Sequence, residues 1–492
     1  MKKILINLLV VLFLGASMVS CKKMLETNPQ NSLDLNFALS TREGLQATLV
    51  AIYNSMQGSG FYGRDVIVSP EVLADNCEIT SNNTNRFINT ANNAPGSHMG
   101  GLWSICYSNI FRANLIIQNV DASAATAAEK TAWKGEAQFI RALCYFNLVN
   151  IFGRNPQFLN SAPPGNFDLG VPIIKEAIID AAKITYPPRN TVNEVYTFIM
   201  EDLNAANNLL TNAGLNASTN RPRRVAAQAL ASRVELYRGN WSEAERWADL
   251  ALASGAAPIA NATQYFNVSA GSGSWGNAFP ETIFGLTYSA SEPNPGGEGL
   301  QYIYYRNLPL GIQGYGDVHA TASLRTDLGT VDRRFTQLIS AQVKSGQNVF
   351  FTMKWPGPLS GRVLGQDDIM ILRSSEVLLN RAEARARQGG AKEALAIADI
   401  NQTRTRAGLT AFPTTGPGTP TGAALITEVL KERRIELAFE GHRLWDILRT
   451  GRDVIKSPTN ILFGAANYNF LIAGIPQGDR DVNANLVNNP GY

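Results

Sequence analysis

Between residues 256 and 365 the sequence concentrates aromatic side chains among glycine, asparagine and glutamine, including Tyr265, Trp275, Phe279, Tyr288, Tyr302, Tyr304, Tyr305, Tyr315, Phe350, Phe351 and Trp355. Packed inward, such rings hold together a segment poor in aliphatic residues. Facing solvent, a tyrosine or tryptophan offers an apolar face with a polar tip, which suits stacking on a sugar ring. Tyr302-x-Tyr304-Tyr305, read as a strand, puts a ring on each face, and Trp275 stands between Ser274 and Gly276, the setting of an exposed loop. Trp275, Tyr302, Tyr305, Tyr315 and Trp355 are therefore the candidate ligand platforms. Asn83 and Arg86, from an irregular asparagine-rich stretch at 58–101, are candidate polar helpers.

Other chemistries are weakly represented. Glu432, Arg433, Glu436, Glu440, Arg443 and Asp446 recur at three- and four-residue steps. That spacing makes intrahelical pairs and cross-helix networks rather than a catalytic carboxylate pair. Gly58-Ser59-Gly60-Phe61-Tyr62-Gly63 matches G-x-G-x-x-G, but a helical pattern precedes it where a dinucleotide fingerprint needs a strand, and no helical pattern is read after it. His98, His319 and His442 are scattered, and neither H-E-x-x-H nor G-x-S-x-G occurs. Asp367-Asp368 reads as the N-terminal cap region of a helix over 369–379 rather than a calcium site. Cys77, Cys106 and Cys144 leave room for at most one internal disulfide, and without C-x-x-C there is no zinc or redox motif. We expect no cofactor, no metal and no enzymatic activity.

The beginning of the chain carries an address. Lys2 and Lys3 precede an apolar run over 4–14, then the small residues Gly15, Ala16 and Ser17. This reads as a signal peptide over 1–20, too short for a spanning helix. Met18-Val19-Ser20-Cys21 resembles a bacterial lipobox, so Cys21 is the expected lipidation site. At about 0.8 kcal/mol per buried methylene, several acyl chains would anchor the protein permanently. The formal net charge of +3 includes Lys2 and Lys3, which leaves no electrostatic footprint for nucleic acid.

Helices must position the candidate site. A polar tether over 21–38 leads into a helical region over 39–255. Leu45, Leu49, Ile52, Tyr53 and Met56 share a helical face, with Ser40 and Glu43 spaced as a capping box. Further helices are predicted at 102–120, 127–152 and 191–210. The stretch 224–254 has the form of a tetratricopeptide pair: a helix, the turn Gly239-Asn240-Trp241, and a second helix with small residues at fixed offsets. A second pair lies at 376–406 around Gly389-Gly390. Between them, 256–365 loses helical periodicity and reads as an inserted, loop-rich, mixed α/β region. The final region, 366–492, holds the second pair, helices near 421–440 and 443–450, and an extended tail. Two visible repeats are fewer than a self-standing array needs, so degenerate pairs are expected among the earlier helices.

Four blocks carry a family resemblance: Glu432-Arg433-Arg434-Ile435-Glu436-Leu437-Ala438-Phe439-Glu440-Gly441-His442-Arg443-Leu444-Trp445-Asp446; Gly135-Glu136-Ala137-Gln138-Phe139-Ile140-Arg141-Ala142 running on to Phe152-Gly153; Ser374-Ser375-Glu376 leading to Arg404-Thr405-Arg406-Ala407-Gly408-Leu409; and the terminal Asn488-Asn489-Pro490-Gly491-Tyr492. In this order the chain resembles the SusD/RagB outer-membrane nutrient-binding lipoproteins. The resemblance implies a mostly α fold with about four tetratricopeptide-like helix pairs. It also implies a SusC-like TonB-dependent barrel as partner and a glycan or peptide as ligand. The family often has acidic residues soon after the lipidated cysteine to direct surface display; here Lys22-Lys23 comes first, with Glu26 nearby. The expectation is an outer-membrane, lipid-anchored, surface-facing protein that captures an oligosaccharide. Its alternatives are a peptide-binding member, a protein scaffold or an anchored hydrolase.

Overall fold

The computed structural model describes residues 35–94, 99–160, 167–216, 218–254, 279–288, 296–306, 313–355, 367–457 and 460–492. Cys21, Trp275 and His98 lie outside these residues. A short helix, α1 (Leu35–Ser40), ends where α2 (Arg42–Gln57) begins. Because Ser40 closes α1, the cap of α2 falls to Thr41, whose hydroxyl accepts the Gly44 N–H at 3.0 Å, and not to the Ser40–Glu43 box. Leu45, Leu49, Ile52 and Met56 are buried as their spacing predicts. The Gly58–Gly63 motif is the turn from α2 to α3 (Asp65–Leu73). A Cβ on Gly63 would lie 2.2 Å from the Gln57 carbonyl, so the glycine serves a tight helix-to-helix turn; a helix does follow, but none of the motif's strand context is present.

After β1 (Cys77–Ile79) and α4 (Ile88–Ala91), long helices stack in chain order: α5 (Gly101–Asn119), α6 (Ala127–Phe152), α7 (Val192–Leu209), α8 (Arg224–Arg238) and α9 (Trp241–Ala253). Reciprocal capping boxes start α6 (Thr126 with Glu129) and α7 (Thr191 with Glu194). Gly239 closes α8 at φ +77°, a conformation glycine adopts without strain. The buried alanines Ala226, Ala229, Ala244, Ala248 and Ala251 let α8 and α9 approach closely. The array continues through α13 (Ser374–Gln388), α14 (Lys392–Arg406) and α15 (Gly422–Glu436), with α9 packed on α13. Successive pairs α2/α5, α6/α7, α8/α9 and α13/α14 form the tetratricopeptide-like scaffold. Cys77, Cys106 and Cys144 are free thiols in the core, and no helix among the described residues is long and apolar enough to cross a membrane.

Between α9 and α13 run β2 (Thr282–Leu286), α10 (Leu300–Tyr304), β3 (Val318–Ala320), α11 (Ala322–Leu328), α12 (Arg333–Leu338), β4 (Ile339–Lys344), β5 (Gln347–Thr352) and β6 (Ile369–Arg373). Among the described residues the strands form three antiparallel pairs, β1–β3, β2–β6 and the hairpin β4–β5, which turns at Ser345 (φ +50°) and Gly346 (φ +79°). Two expectations fail here. Tyr302 and Tyr304 belong to a helix, not a strand. Asp367-Asp368 precedes strand β6, and the Asp368 carboxylate accepts the Tyr288 N–H at 3.0 Å instead of capping a helix.

The charged signature before and through α16 (Arg443–Thr450) locks the insertion to the scaffold. Glu436 accepts from Arg406 (2.6 Å), Arg373 (2.9 Å) and Arg334 (3.0 Å). Glu281 accepts from Arg406 at 2.6 Å and Glu440 from Lys354 at 2.6 Å. All of these groups are buried, and such charges persist only because each is paired. Arg433 pairs with Asp446, and Arg449 with Glu383. A last helix, α17 (Gln477–Val482), precedes the extended tail.

Candidate ligand-binding surface

The 80–87 loop meets residues 296–306 and 313–317 at one surface. Asn82, Asn85 and Phe87 have φ of +54°, +67° and +60°. Asparagine tolerates this left-handed backbone; a phenylalanine does so at a cost, and such strain persists where surrounding contacts fix it. Asp317 fixes the middle of the loop, at Asn83 and Thr84. Its carboxylate accepts the Thr84 N–H at 2.9 Å and the Thr84 hydroxyl, and its carbonyl accepts Asn83 Nδ2 at 3.0 Å. Beneath, the buried Lys344 ammonium donates to the Tyr315 and Gly316 carbonyls (2.7 and 2.9 Å) and to the Thr80 hydroxyl (3.0 Å).

On this base sit the rings. The Tyr302 and Tyr315 centroids are 5.5 Å apart with planes inclined at 39°. The Arg86 guanidinium carbon is 4.2 Å from the Tyr315 centroid. Arg86 Nε and Nη2 donate to the Glu298 carboxylate, which also receives Arg64. Hydrogen bonding from Arg86, joined by the Arg64 charge, holds the Glu298 carboxyl below its ordinary value despite partial burial. Glu298 is thus a fixed anion, not a proton donor for acid catalysis. Tyr305 lies alongside, 6.1 Å from the Phe351 ring, its hydroxyl 3.4 Å from the Ser340 oxygen. Among the described residues no group of histidine, cysteine or carboxylate side chains could hold a metal ion.

Four of the seven candidates therefore come together, Asn83, Arg86, Tyr302 and Tyr315, while Tyr305 packs on the β4–β5 hairpin. Asn83 turns inward, and its role is to hold the loop. Trp275 lies outside the described residues. Trp355 is a correction: it is 2% exposed, and its indole N–H donates to the Phe439 carbonyl at 3.2 Å. It packs against the signature turn and offers no face to a ligand. Glu298, Arg64 and Thr84 were not singled out by the sequence; Arg64 and Thr84 lie beside stretches that drew attention for other reasons, and only folding brings Glu298 and Arg64 together with Arg86.

Comparison with known proteins agrees with this architecture. A family model described as "Starch-binding associating with outer membrane" matches residues 23–236, and the SusD family model matches 359–492. SusD-like proteins P38 and P2 of Formosa agariphila are similar: 24% identity across 93% of this chain and 94% of P38, and 27% across the whole of this chain and of P2. The crystal structure of a SusD superfamily protein from Bacteroides vulgatus has the same fold, at a TM-score of 0.77 and 23% identity over 92% of this chain and 99% of that one. With both ends of the sequence matched and the helical array intact, the chain belongs to the SusD/RagB family.

Proposed function

We propose that this protein is a lipid-anchored, non-catalytic outer-membrane protein that captures an oligosaccharide and passes it to a SusC-like TonB-dependent barrel. The observation that carries the reading is the convergence of Tyr302, Tyr315 and Arg86, from segments more than 200 positions apart, on one surface of the inserted region. Two inclined rings give a sugar its apolar contact, and the arginine–carboxylate edge beside them gives its hydroxyls donors and acceptors. The starch-binding description of the matched family supports a glycan over a peptide.

The test is calorimetric titration of the wild-type chain with a panel of oligosaccharides and peptides. Binding of an oligosaccharide without product after long incubation is the expected result. Binding of peptides alone, or slow hydrolysis, overturns the reading. Anchoring is checked by labelling with palmitate, which should mark the wild type and not Cys21→Ala. The barrel is checked by co-purification after mild detergent extraction.

A further inference from the structure

Three stretches of the chain border a cavity of about 280 Å³ that shares no residue with the Tyr302–Tyr315 surface. The end of α4 supplies Ala91 and the two residues after it, Asn92 and Asn93. The antiparallel bridge between Val454 and Ile461 brings in Ile461 and Lys456. A 3-10 helix (Ala466–Leu471) supplies Asn467 and Phe470. Each stretch is held by contacts of its own. Asn93 Nδ2 donates to the Leu73 carbonyl at 3.2 Å, and the Lys456 backbone N–H donates to Asn460 Oδ1 at 3.1 Å. The Phe470 ring meets Tyr492 edge to face, with centroids 5.6 Å apart.

Lys456 is the one charged residue among the described residues of the lining, and its charge is largely answered. Its ammonium donates to the Val72 and Leu73 carbonyls, at 3.0 and 2.9 Å, at the negative, C-terminal end of α3. Burial also pulls the ammonium down to about 7, against the opposing influence of Asp75. The cavity therefore offers little to an ionic ligand of either sign. Its unanswered groups are neutral. The Asn92 and Asn467 amides make no hydrogen bond with the described residues. Each has two donors and an acceptor to offer. Ala91, Ile461 and Phe470 give the same cavity an apolar wall. A wall of this kind beside free amides suits a sugar ring, which has an apolar face and a rim of hydroxyls. The volume stands at the small end of the roughly 300–1,000 Å³ typical of small-molecule pockets, so the space suits one ring rather than a chain.

We propose that this cavity is a second carbohydrate site, holding one uncharged sugar ring with its apolar face toward Phe470 and Ile461 and its hydroxyls on the Asn92 and Asn467 amides. The site shares the ligand class of the proposed function and none of its residues, so either can fail without the other.

The test is ligand-observed saturation-transfer NMR on the full chain. The probes are glucose, galactose, mannose and N-acetylglucosamine, with glucuronate and glucosamine as charged counterparts. At least one neutral sugar should bind the wild type and the Tyr302→Ala variant with equal affinity. Asn92→Ala with Asn467→Ala should lower that affinity at least tenfold. Asn92 is exposed and Asn467 half-buried. Neither amide holds the fold together, so the melting temperature and oligosaccharide binding at the Tyr302–Tyr315 surface should match the wild type. The charged sugars should bind several-fold more weakly than the neutral one. Failure of every neutral sugar to bind, or undiminished affinity in the double variant, overturns the proposal. So does glucuronate or glucosamine bound as tightly as the neutral sugar. Binding abolished by Tyr302→Ala would put the ring on the aromatic surface, which overturns the second site and leaves the proposed function standing.

Discussion

Arg86 covers Tyr315, its guanidinium carbon 4.2 Å from the ring centroid, while Glu298 grips the same guanidinium from the side. A planar cation held edge-on by a carboxylate and face-on by a ring has little freedom left. Tyr302 is inclined beside them and half-buried. Tyr302→Ala should weaken oligosaccharide binding by about 1 kcal/mol or more, roughly fivefold, with little change in melting temperature. Arg86→Lys should not preserve affinity, because an ammonium cannot both stack and bridge the carboxylate with two nitrogens. Titration calorimetry on both variants decides; wild-type affinity in each would move the ligand elsewhere.

Trp355 should behave in the opposite way. Its ring is buried and its indole N–H is satisfied by the Phe439 carbonyl. Trp355→Ala should cost roughly 3–5 kcal/mol of folding stability. Any variant molecules that remain folded should bind oligosaccharide normally. Denaturant melts measure the first effect and titration the second; a stable variant with lost affinity would return Trp355 to the ligand site.

How far the sequence is legible depends on whether the deciding partner is near in the chain. The helices Ala127–Phe152 and Val192–Leu209 are set by their own capping residues and apolar spacing, so local reading finds them within a residue or two. The pair around Gly239 is equally local. Tyr302 is different: five residues of helix, whose Tyr302 carbonyl accepts the Tyr315 and Gly316 N–H groups, are stabilised by a later segment. Trp355 is buried by a turn 84 positions away, and Asp368 is claimed by Tyr288, 80 positions before it. The aromatic enrichment marks the inserted region as a whole. It could not tell which rings face outward, because that depends on contacts between segments whose separation no periodicity records.

Glu71 and Gly441 give the signature turn its shape. The buried Glu71 carboxylate accepts the N–H groups of Phe439 (3.1 Å), Gly441 (3.0 Å) and His442 (3.1 Å). Gly441 has φ +82°, and a Cβ there would lie 2.3 Å from the Val66 carbonyl. Gly441→Ala should destabilise by more than the ~1–3 kcal/mol of backbone strain alone, since the clash adds to it. Glu71→Gln should cost about 1–3 kcal/mol, because its amide turns a donor toward N–H groups that need an acceptor. Urea unfolding tests both; a Gly441→Ala variant as stable as wild type would show that the turn can relax.

The buried ion pairs set the response to acid. Burial alone would raise the Glu383 carboxyl, but the Arg449 guanidinium, with Arg387 and Arg433, outweighs it and holds it down to about 2, against an ordinary 4.5. Glu436 is likewise held well below that value, its burial outweighed by Arg406, Arg373, Arg334 and Lys354. A carboxyl whose folded value is depressed contributes stability that is complete above its unfolded value and lost as pH falls toward the folded one. The melting temperature should therefore be nearly flat from neutrality to about pH 5 and fall steeply between about pH 4.5 and about pH 2. Glu383→Gln leaves the buried Arg449 with Asp446 as its remaining carboxylate and should cost about 3 kcal/mol at neutral pH, the lower end for breaking a buried pair. Below about pH 4 the wild type begins to lose the same interaction, so the two melting curves should converge. Calorimetric melts of both proteins across this range check the assignment. A constant difference down to the lowest pH would mean that Glu383 does not titrate with the fold.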